Sequence, residues 1–418
     1  MAPPGPPLCA TGCWQPVIHA LTRPLVLGLA ALALFGCEPG APAADDGQPA
    51  DDHGAPVAAD SAPAPVAAME RIRVSDDRRG FVRADSGRRF VPWGFNYDHD
   101  GDGRLLEDYW ADEWPTVEQD FAEMKHLGAT VVRVHLQFGR FMDAPDRPNE
   151  AALGRLDRLL ALAARLGLYL DLTGLACYHK ADVPPWYDAL EEGARWRAQV
   201  SFWEAVAARG ARSPAVFCYD LMNEPVVPGG PKRDDWLGPP FAGKCFVQFI
   251  ALDLAGRDRP EVARQWVGLL AAAVRRRDPG RLVTVGLVPW SLDRPGLTSG
   301  FVPGRIAADL DFLSAHIYPE RGKVAEALET LRGFAVGKPV VVEETFPLQC
   351  PAEELETFLD ASRGTAAGWI GFYWGRTPEE CRRSGTIAGA MTAAWLDLFV
   401  RKAGALDRWA AEPAAPPK

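Results

Sequence analysis

The feature that most constrains this chain is a repeated alternation of short apolar, β-branched runs with helix-length amphipathic segments. The runs are Phe90–Asn96, Thr130–His135, Leu168–Thr173, Ala215–Met222, Leu282–Gly286, Phe312–Tyr318, Val340–Glu344 and Trp369–Trp374. The helical segments between and after them are Thr116–Leu127, Glu150–Leu166, Trp196–Arg209, Pro260–Arg277, Ile306–Leu310, Lys323–Ala335, Pro351–Ser362 and Thr386–Lys402. Gly128 and Gly167 stop the first two helices, and Pro260 sits in the first turn of the fourth. Strands buried on both faces and joined through helices form a parallel sheet. Eight such units predict a (β/α)8 barrel with loop insertions, the longest of them after strand four. The competing arrangement is an open doubly wound sheet. No Gly-rich phosphate loop follows an early strand, which counts against its nucleotide-binding form. Ahead of the barrel, Ile72–Val74, Phe81–Arg83 and Phe90–Val91 read as a small hairpin.

In a barrel of this kind, residues at the C-terminal ends of the strands converge on one site. Those positions hold Asn96 and Tyr97, Arg133 and His135, Tyr178 and His179, Asn223 and Glu224, His316 and Tyr318, Glu343 and Glu344, and Trp374. Glu224 ends an apolar run, Ala215–Pro225, where an unpaired charge is costly to bury. Read alone, it is equally a surface-loop residue. Two carboxylates on well-separated strands, with Arg, His and Tyr between them, suit glycoside hydrolysis, in which one acid protonates the leaving oxygen and a second carboxylate attacks or activates water. Successive strand side chains point to opposite faces, so Glu343 and Glu344 are not expected to share the barrel mouth.

The motifs Tyr219–Pro225 (YDLMNEP), Ala315–Pro319 (AHIYP) and Lys338–Thr345 (KPVVVEET), with the late Trp374, resemble family 5 of the glycoside hydrolases, the cellulase-like members of the retaining (β/α)8 clan. The resemblance covers roughly residues 70–400. It implies that Glu224 is the general acid/base and Glu344 the nucleophile. Arg133 would hold Glu344 ionised, Tyr318 would hydrogen-bond to it, and Asn223 would hold the sugar 2-hydroxyl. His316 would line the site, and Trp374 would form the floor under the reacting sugar. Glu343 would then face the helices or a polar partner. Many family members carry a His at the end of strand three; here His179, in the loop beyond, is the nearest. Tyr97 and Trp290 complete the expected substrate-binding set, Trp290 as one of several loop tryptophans able to stack on a pyranose ring. The implied activity is retaining hydrolysis of a β-linked glucan or mannan, with no metal or organic cofactor in the chemistry. The competing readings are a carbohydrate-binding surface lipoprotein on a barrel without catalysis, and a metal-dependent barrel hydrolase. The first would lose the carboxylate pair that this chain keeps. The second lacks a clustered His-x-His pattern.

The rest of the chain suggests where it works. Pro24–Phe35 is an apolar run behind Arg23, too short to span a bilayer comfortably, and reads as the core of a signal peptide. Leu34–Cys37 (LFGC) resembles a bacterial lipobox, which would make Cys37 a lipidated N-terminus and place the protein outside the cytoplasm on a membrane anchor. Residues 1–37 are therefore expected to be leader, 38–69 an Ala/Pro/Asp-rich disordered tether, 70–405 the hydrolase domain and 406–418 a flexible tail. Net charge is −10; six acids fall in residues 38–69, and residues 70–418 carry about −5, a mildly acidic balance that speaks against nucleic acid and suits a neutral glycan. The domain is expected to act as a monomer. Cys350 and Cys381 follow two late strands and could pair. The loop Asp98–Gly103 begins like a calcium loop but has Tyr109 where a bidentate Glu is needed, so a solvated loop is expected.

Overall fold

The computed structural model describes residues 69–292, 294, 298–372 and 374–411. The expected leader, Cys37, nearly all of the tether and the last residues of the tail lie outside them.

Eight parallel strands close into a barrel, each hydrogen-bonded to the next and the last to the first. They are β1 (Trp93–Tyr97), β2 (Val131–Gln137), β3 (Tyr169–Ala176), β4 (Val216–Asn223), β5 (Leu282–Leu287), β6 (Leu313–His316), β7 (Val340–Thr345) and β8 (Ala366–Gly371). The helices between and after them are α1 (Trp114–His126), α2 (Glu150–Leu166), α3 (Glu192–Gly210), α4 (Arg259–Arg277), the single turn α5 (Pro303–Ile306), α6 (Val324–Gly333), α7 (Ala352–Ser362) and α8 (Ile387–Ala411). This is the (β/α)8 barrel that the alternation predicts. α2 keeps its expected bounds because both ends are capped. The Asn149 side chain accepts from the Ala152 amide at the start, and Gly167 takes the left-handed conformation at the end (φ 67°). α8 runs to Ala411, past the expected domain end at 405. Among the described residues no helix is long and apolar enough to cross a membrane.

The N-terminal end of the barrel is plugged. The strands Ile72–Val74, Phe81–Arg83 and Arg89–Phe90 form a small antiparallel sheet under it. Phe81 packs edge-on against Phe217 and Phe312 at 5.2 Å, within a buried apolar cluster that includes Ile72, Phe90 and Val341. The barrel interior above this plug is polar. Arg133, Asp171, Asp220 and Glu343, with Thr173, Thr284 and Ser314, are all fully buried there. Charges buried this deep must neutralise one another, and this layer carries the site.

β8 begins at Ala366, three residues earlier than expected, and ends at Gly371, so Trp374 lies beyond it. The five cysteines after the leader (Cys177, Cys218, Cys245, Cys350 and Cys381) are buried and free, and Cys350 and Cys381 do not pair. In the loop Asp98–Gly103 the carboxylates are used locally. Asp98 meets His99 at 2.7 Å, and Asp100 accepts from the Asp102 and Arg104 amides and from the Arg104 side chain.

Candidate active site

Arg133 is the hub of the polar layer. Its Nη1 donates to Glu344 Oε1 at 2.7 Å and to Asn96 Oδ1 at 2.8 Å; its Nη2 donates to Asp220 Oδ2 at 2.6 Å and to Asn223 Oδ1 at 3.0 Å. Glu343 Oε2 lies 3.5 Å from the same guanidinium. Burial opposes the charge on Arg133, but Glu343, Asp220 and Glu344 outweigh it and hold the guanidinium firmly protonated.

Glu343 and Glu344 both reach Arg133 inside the barrel, so alternation does not send them to opposite faces, but only Glu344 lines the cavity and Glu343 takes polar partners below it. The register of β7 shifts against both neighbours, around His316 on one side and between Val342 and Thr345 on the other. Such an irregularity re-aims side chains at the end of a strand. Glu343 accepts from Ser314 Oγ at 2.9 Å and lies 3.5 Å from His316 Nε2. Its polar partners are thus inside the barrel, not among the helices. Glu344 sits higher, 6% exposed, and Tyr318 Oη donates to its Oε2 at 2.7 Å.

Glu224 faces Glu344. His316 Nδ1 donates to Glu224 Oε1 at 3.0 Å and lies 3.5 Å from Glu344 Oε2. A carboxylate oxygen of each Glu and a ring nitrogen of His316 lie within 4.8 Å of one another. Glu224 holds a left-handed backbone (φ 47°), which costs a non-glycine residue of order 1–3 kcal/mol. Its amide donates to the Gly286 carbonyl at 3.0 Å, which ties the strained residue to β5. Gly286 itself is needed for space, because a Cβ there would stand 2.9 Å from Arg133 Nη2 and 3.0 Å from Glu343 Oε2 and His316 Nε2.

The charge states follow from these neighbours. Burial works against a proton on His316, but Glu344, Glu224 and Glu343 outweigh it and push the imidazole up to about 10, so it is cationic at neutral pH. Burial lifts the Glu344 carboxyl above the usual range and Glu224 adds to this; His316, Arg133 and Tyr318 pull the other way. Below them, burial with Glu343 and Asp220 pushes the Asp171 carboxyl well above the usual range. Burial would raise Glu343 as well, but Arg133 and His316 hold it low. Burial and Arg133 push His135 well below the ordinary value, and the neutral ring accepts from Tyr178 Oη at Nδ1 and donates to Asn96 Oδ1 from Nε2 at 3.0 Å. Among the described residues two groups have metal-ligand spacing, Glu224–His316–Glu344 and Asp171–Asp220–Glu343. Arg133 and protonated His316 already bring positive charge to both, at 2.6–3.5 Å from Asp220, Glu343, Glu344 and Glu224.

A cavity of about 230 Å³ opens over the pair, lined by Asn223, Glu224, His316, Tyr318 and Glu344 together with Phe246, Phe372 and Trp290. Three expected substrate-binding residues lie elsewhere. Trp374 is buried against Phe95, its ring 5.7 Å away, and Phe372 lines the cavity instead. Tyr97 turns outward, its Oη donating to Asp120 at 2.6 Å. His179 heads a 3₁₀ turn and does not line the cavity; the residue before it, Tyr178, reaches His135. Asp220, a carboxylate inside an apolar strand, was open to recognition from sequence. Phe246 carried no such signal.

A closed parallel barrel with paired carboxylates over a cavity at its C-terminal end defines a barrel hydrolase of the kind that acts on glycosidic bonds. The family model "Cellulase (glycosyl hydrolase family 5)" matches residues 94–346, more than half of the chain, and the chain belongs to glycosyl hydrolase family 5. It is a glycoside hydrolase. No curated protein sequence matches it. Among solved structures it is similar to the exo-β-1,4-mannosidase from an Opitutaceae bacterium, with TM-score 0.61 and 18% identity over 82% of this chain and 63% of that one. The chain thus spans less than two thirds of that enzyme's length. It is also similar to the GH5_18 protein from Streptomyces cattleya in complex with Manβ1-4GlcNAc (TM-score 0.57, 18% identity, 78% and 83% of the two chains) and to the endo-1,4-β-mannanase from Rhizomucor miehei (0.52, 19%, 80% and 100%). At these identities the likeness shows a shared fold.

Proposed function

We propose that the chain hydrolyses a β-linked glycan by double displacement, with Glu344 as nucleophile and Glu224 as general acid/base. The observation that carries this is the separation of their carboxylates. Oxygens of the two lie within 4.8 Å across one cavity. Retaining enzymes hold the pair about 5–5.5 Å apart, whereas inverting enzymes leave about 6.5–9.5 Å for a water. Glu344 attacks the anomeric carbon while Glu224 gives its proton to the leaving oxygen. Glu224 then takes a proton from the water that releases the sugar.

The surroundings support these roles. Arg133 and Tyr318 each donate to Glu344, one to each oxygen, and so favour the ionised form that attack needs. His316 Nδ1 fixes the position of the Glu224 carboxylate at 3.0 Å. Asn223, held by Arg133 and by its own bond to the Phe246 carbonyl, lines the cavity beside Glu224. Trp290 and Phe372 add aromatic rings to the lining. The structures of similar fold are named for β-mannosides, so a β-mannoside is the first substrate to try and a β-glucan the second. We place the protein outside the cytoplasm, anchored through a lipid on Cys37, on the apolar run Pro24–Phe35 and the LFGC motif.

The test is Glu344→Ala assayed on an aryl β-glycoside with and without azide. The expected result is loss of turnover without azide, and with it release of a glycosyl azide of inverted configuration. Full activity in the variant removes Glu344 from the role.

A further inference from the structure

We propose that the site is a pocket with a single mouth, built to take the non-reducing end of a β-linked chain and to release one terminal sugar per turnover. This rests on the hydrolase reading above and specifies where along the chain that chemistry acts.

The blind end is made by the long loop after β4. That loop folds back across the barrel and is stitched to the end of β3. The Cys245 amide donates to the Tyr178 carbonyl at 2.8 Å, Gln248 Nε2 donates to the Leu175 carbonyl at 2.9 Å, and Asn223 Nδ2 donates to the Phe246 carbonyl at 3.2 Å. The stitching fixes the Phe246 ring 5.0 Å from Tyr178 and, edge-on, 6.3 Å from Phe372, which follows β8. Phe372 in turn lies 6.1 Å from the His99 ring, which follows β1. An aromatic arc therefore runs from β4 over β3 to β8 and β1. Behind it, Asp98 is buried and paired with His99, and Arg376 meets Asp102 at 3.4 Å, joining the loops after β1 and β8.

On the other side of the carboxylate pair the cavity runs outward. Its lining continues through Trp290 after β5, Tyr318 and Lys323 after β6, and Leu348 and Gln349 after β7. Its volume is about 230 Å³.

The order of chemical events decides which end of the glycan sits against the wall. The leaving portion must depart while the other portion is covalently held on Glu344. If the leaving portion lay in the blind end, the glycosyl-enzyme would trap it there. The glycone therefore fills the blind end between the carboxylates and the Phe246–Phe372 wall, and the rest of the chain leaves through the mouth by Trp290. One ring is assigned to the glycone side, so each turnover consumes one water and yields one monosaccharide and a chain one unit shorter.

The experiment uses β-1,4-mannopentaose and cellopentaose, each supplied free and with its non-reducing sugar capped as a 4,6-benzylidene acetal, with products resolved from the first minutes of reaction. The expected result is monosaccharide plus tetrasaccharide from the better free pentaose, and no cleavage of its capped form. Disaccharide or trisaccharide among the first products, or cleavage of the capped form, overturns the proposal while leaving the hydrolase reading intact. Failure to cleave any glycoside, aryl glycosides included, overturns the hydrolase reading itself. Phe246→Ala and Phe372→Ala, each checked for folding by circular dichroism, test the wall. Disaccharide should appear as an early product in at least one. Monosaccharide alone from both would overturn the assignment of the wall to these rings.

Discussion

Arg133 holds Glu344 at 2.7 Å with one guanidinium nitrogen and Asp220 at 2.6 Å with the other. One cation thus joins a carboxylate at the cavity to one sealed in the barrel, and the first cannot be aimed without satisfying the second. Removing the cation leaves Asp220 buried without a countercharge in hydrogen-bond contact and Glu343 with His316 alone. Breaking a buried pair by deleting one partner costs roughly 3–5 kcal/mol. Arg133→Met is therefore expected to lose about that much stability in urea unfolding. Arg133→Lys is also expected to lose activity, since a single ammonium cannot serve both carboxylates in fork geometry. Unchanged unfolding of Arg133→Met would mean that the carboxylates below relieve each other by sharing protons.

Tyr318 sets the acid limit of the reaction. Glu344 must be ionised to attack, so activity is present above its pKa and is lost as the pH falls through it. Burial already lifts that pKa, and the Tyr318 hydroxyl, 2.7 Å from Oε2, is one of the groups that restrain it. Tyr318→Phe removes the donor without removing the ring. The acid limb of kcat/KM should move to higher pH, and the plateau should fall by roughly 10- to 100-fold, the worth of a hydrogen bond to a charged group at about 1.5–3 kcal/mol. An acid limb that stays in place would show that this bond does not tune Glu344.

Much of this arrangement can be read from the residues alone, and its failures have definite causes. Gly167 stops α2 (Glu150–Leu166) by local backbone geometry, so that end is legible. β8 is not. Ala366, Ala367 and Gly368 are weak strand formers, and the aromatic run from Trp369 to Trp374 outweighs them, which moves the expected strand three residues late and puts Trp374 at the site. The joint inward turn of Glu343 and Glu344 depends on a register shift, which leaves no trace in an alternating pattern. Phe246 is placed by hydrogen bonds from a loop with no periodicity. What was legible is what local sequence determines. The wall of the cavity is decided by contacts between loops far apart in the chain.

Gly286 reverses a common rule. Replacing a glycine by alanine at an ordinary strand position usually stabilises by about 0.4–1 kcal/mol through the unfolded chain. At Gly286 the added methyl would meet Arg133, Glu343 and His316 at 2.9–3.0 Å, all members of one buried network. Gly286→Ala is therefore expected to destabilise by about 1–3 kcal/mol, the usual cost of overpacking, and to depress kcat by displacing His316 and Arg133 together. Calorimetry alongside steady-state kinetics checks both. A stabilised variant with full activity would mean that the network has slack on the β5 side.

His316 gives the protein a pH dependence of stability that can be isolated. Its imidazole is pushed from the ordinary value of about 6.5 up to about 10 in the folded state, since Glu344, Glu224 and Glu343 outweigh the effect of burial. A group whose pKa rises on folding adds stability that is fully present below the unfolded value. That stability is lost as the pH climbs through the folded value. The wild-type melting temperature should therefore fall between about pH 6.5 and 10 by more than that of His316→Gln, which keeps a donor but cannot take up the proton. Other groups titrate in the same window, and the difference between the two curves removes them. Parallel curves would mean that His316 stands neutral between the carboxylates, and the charge balance of the site would then rest on Arg133 alone.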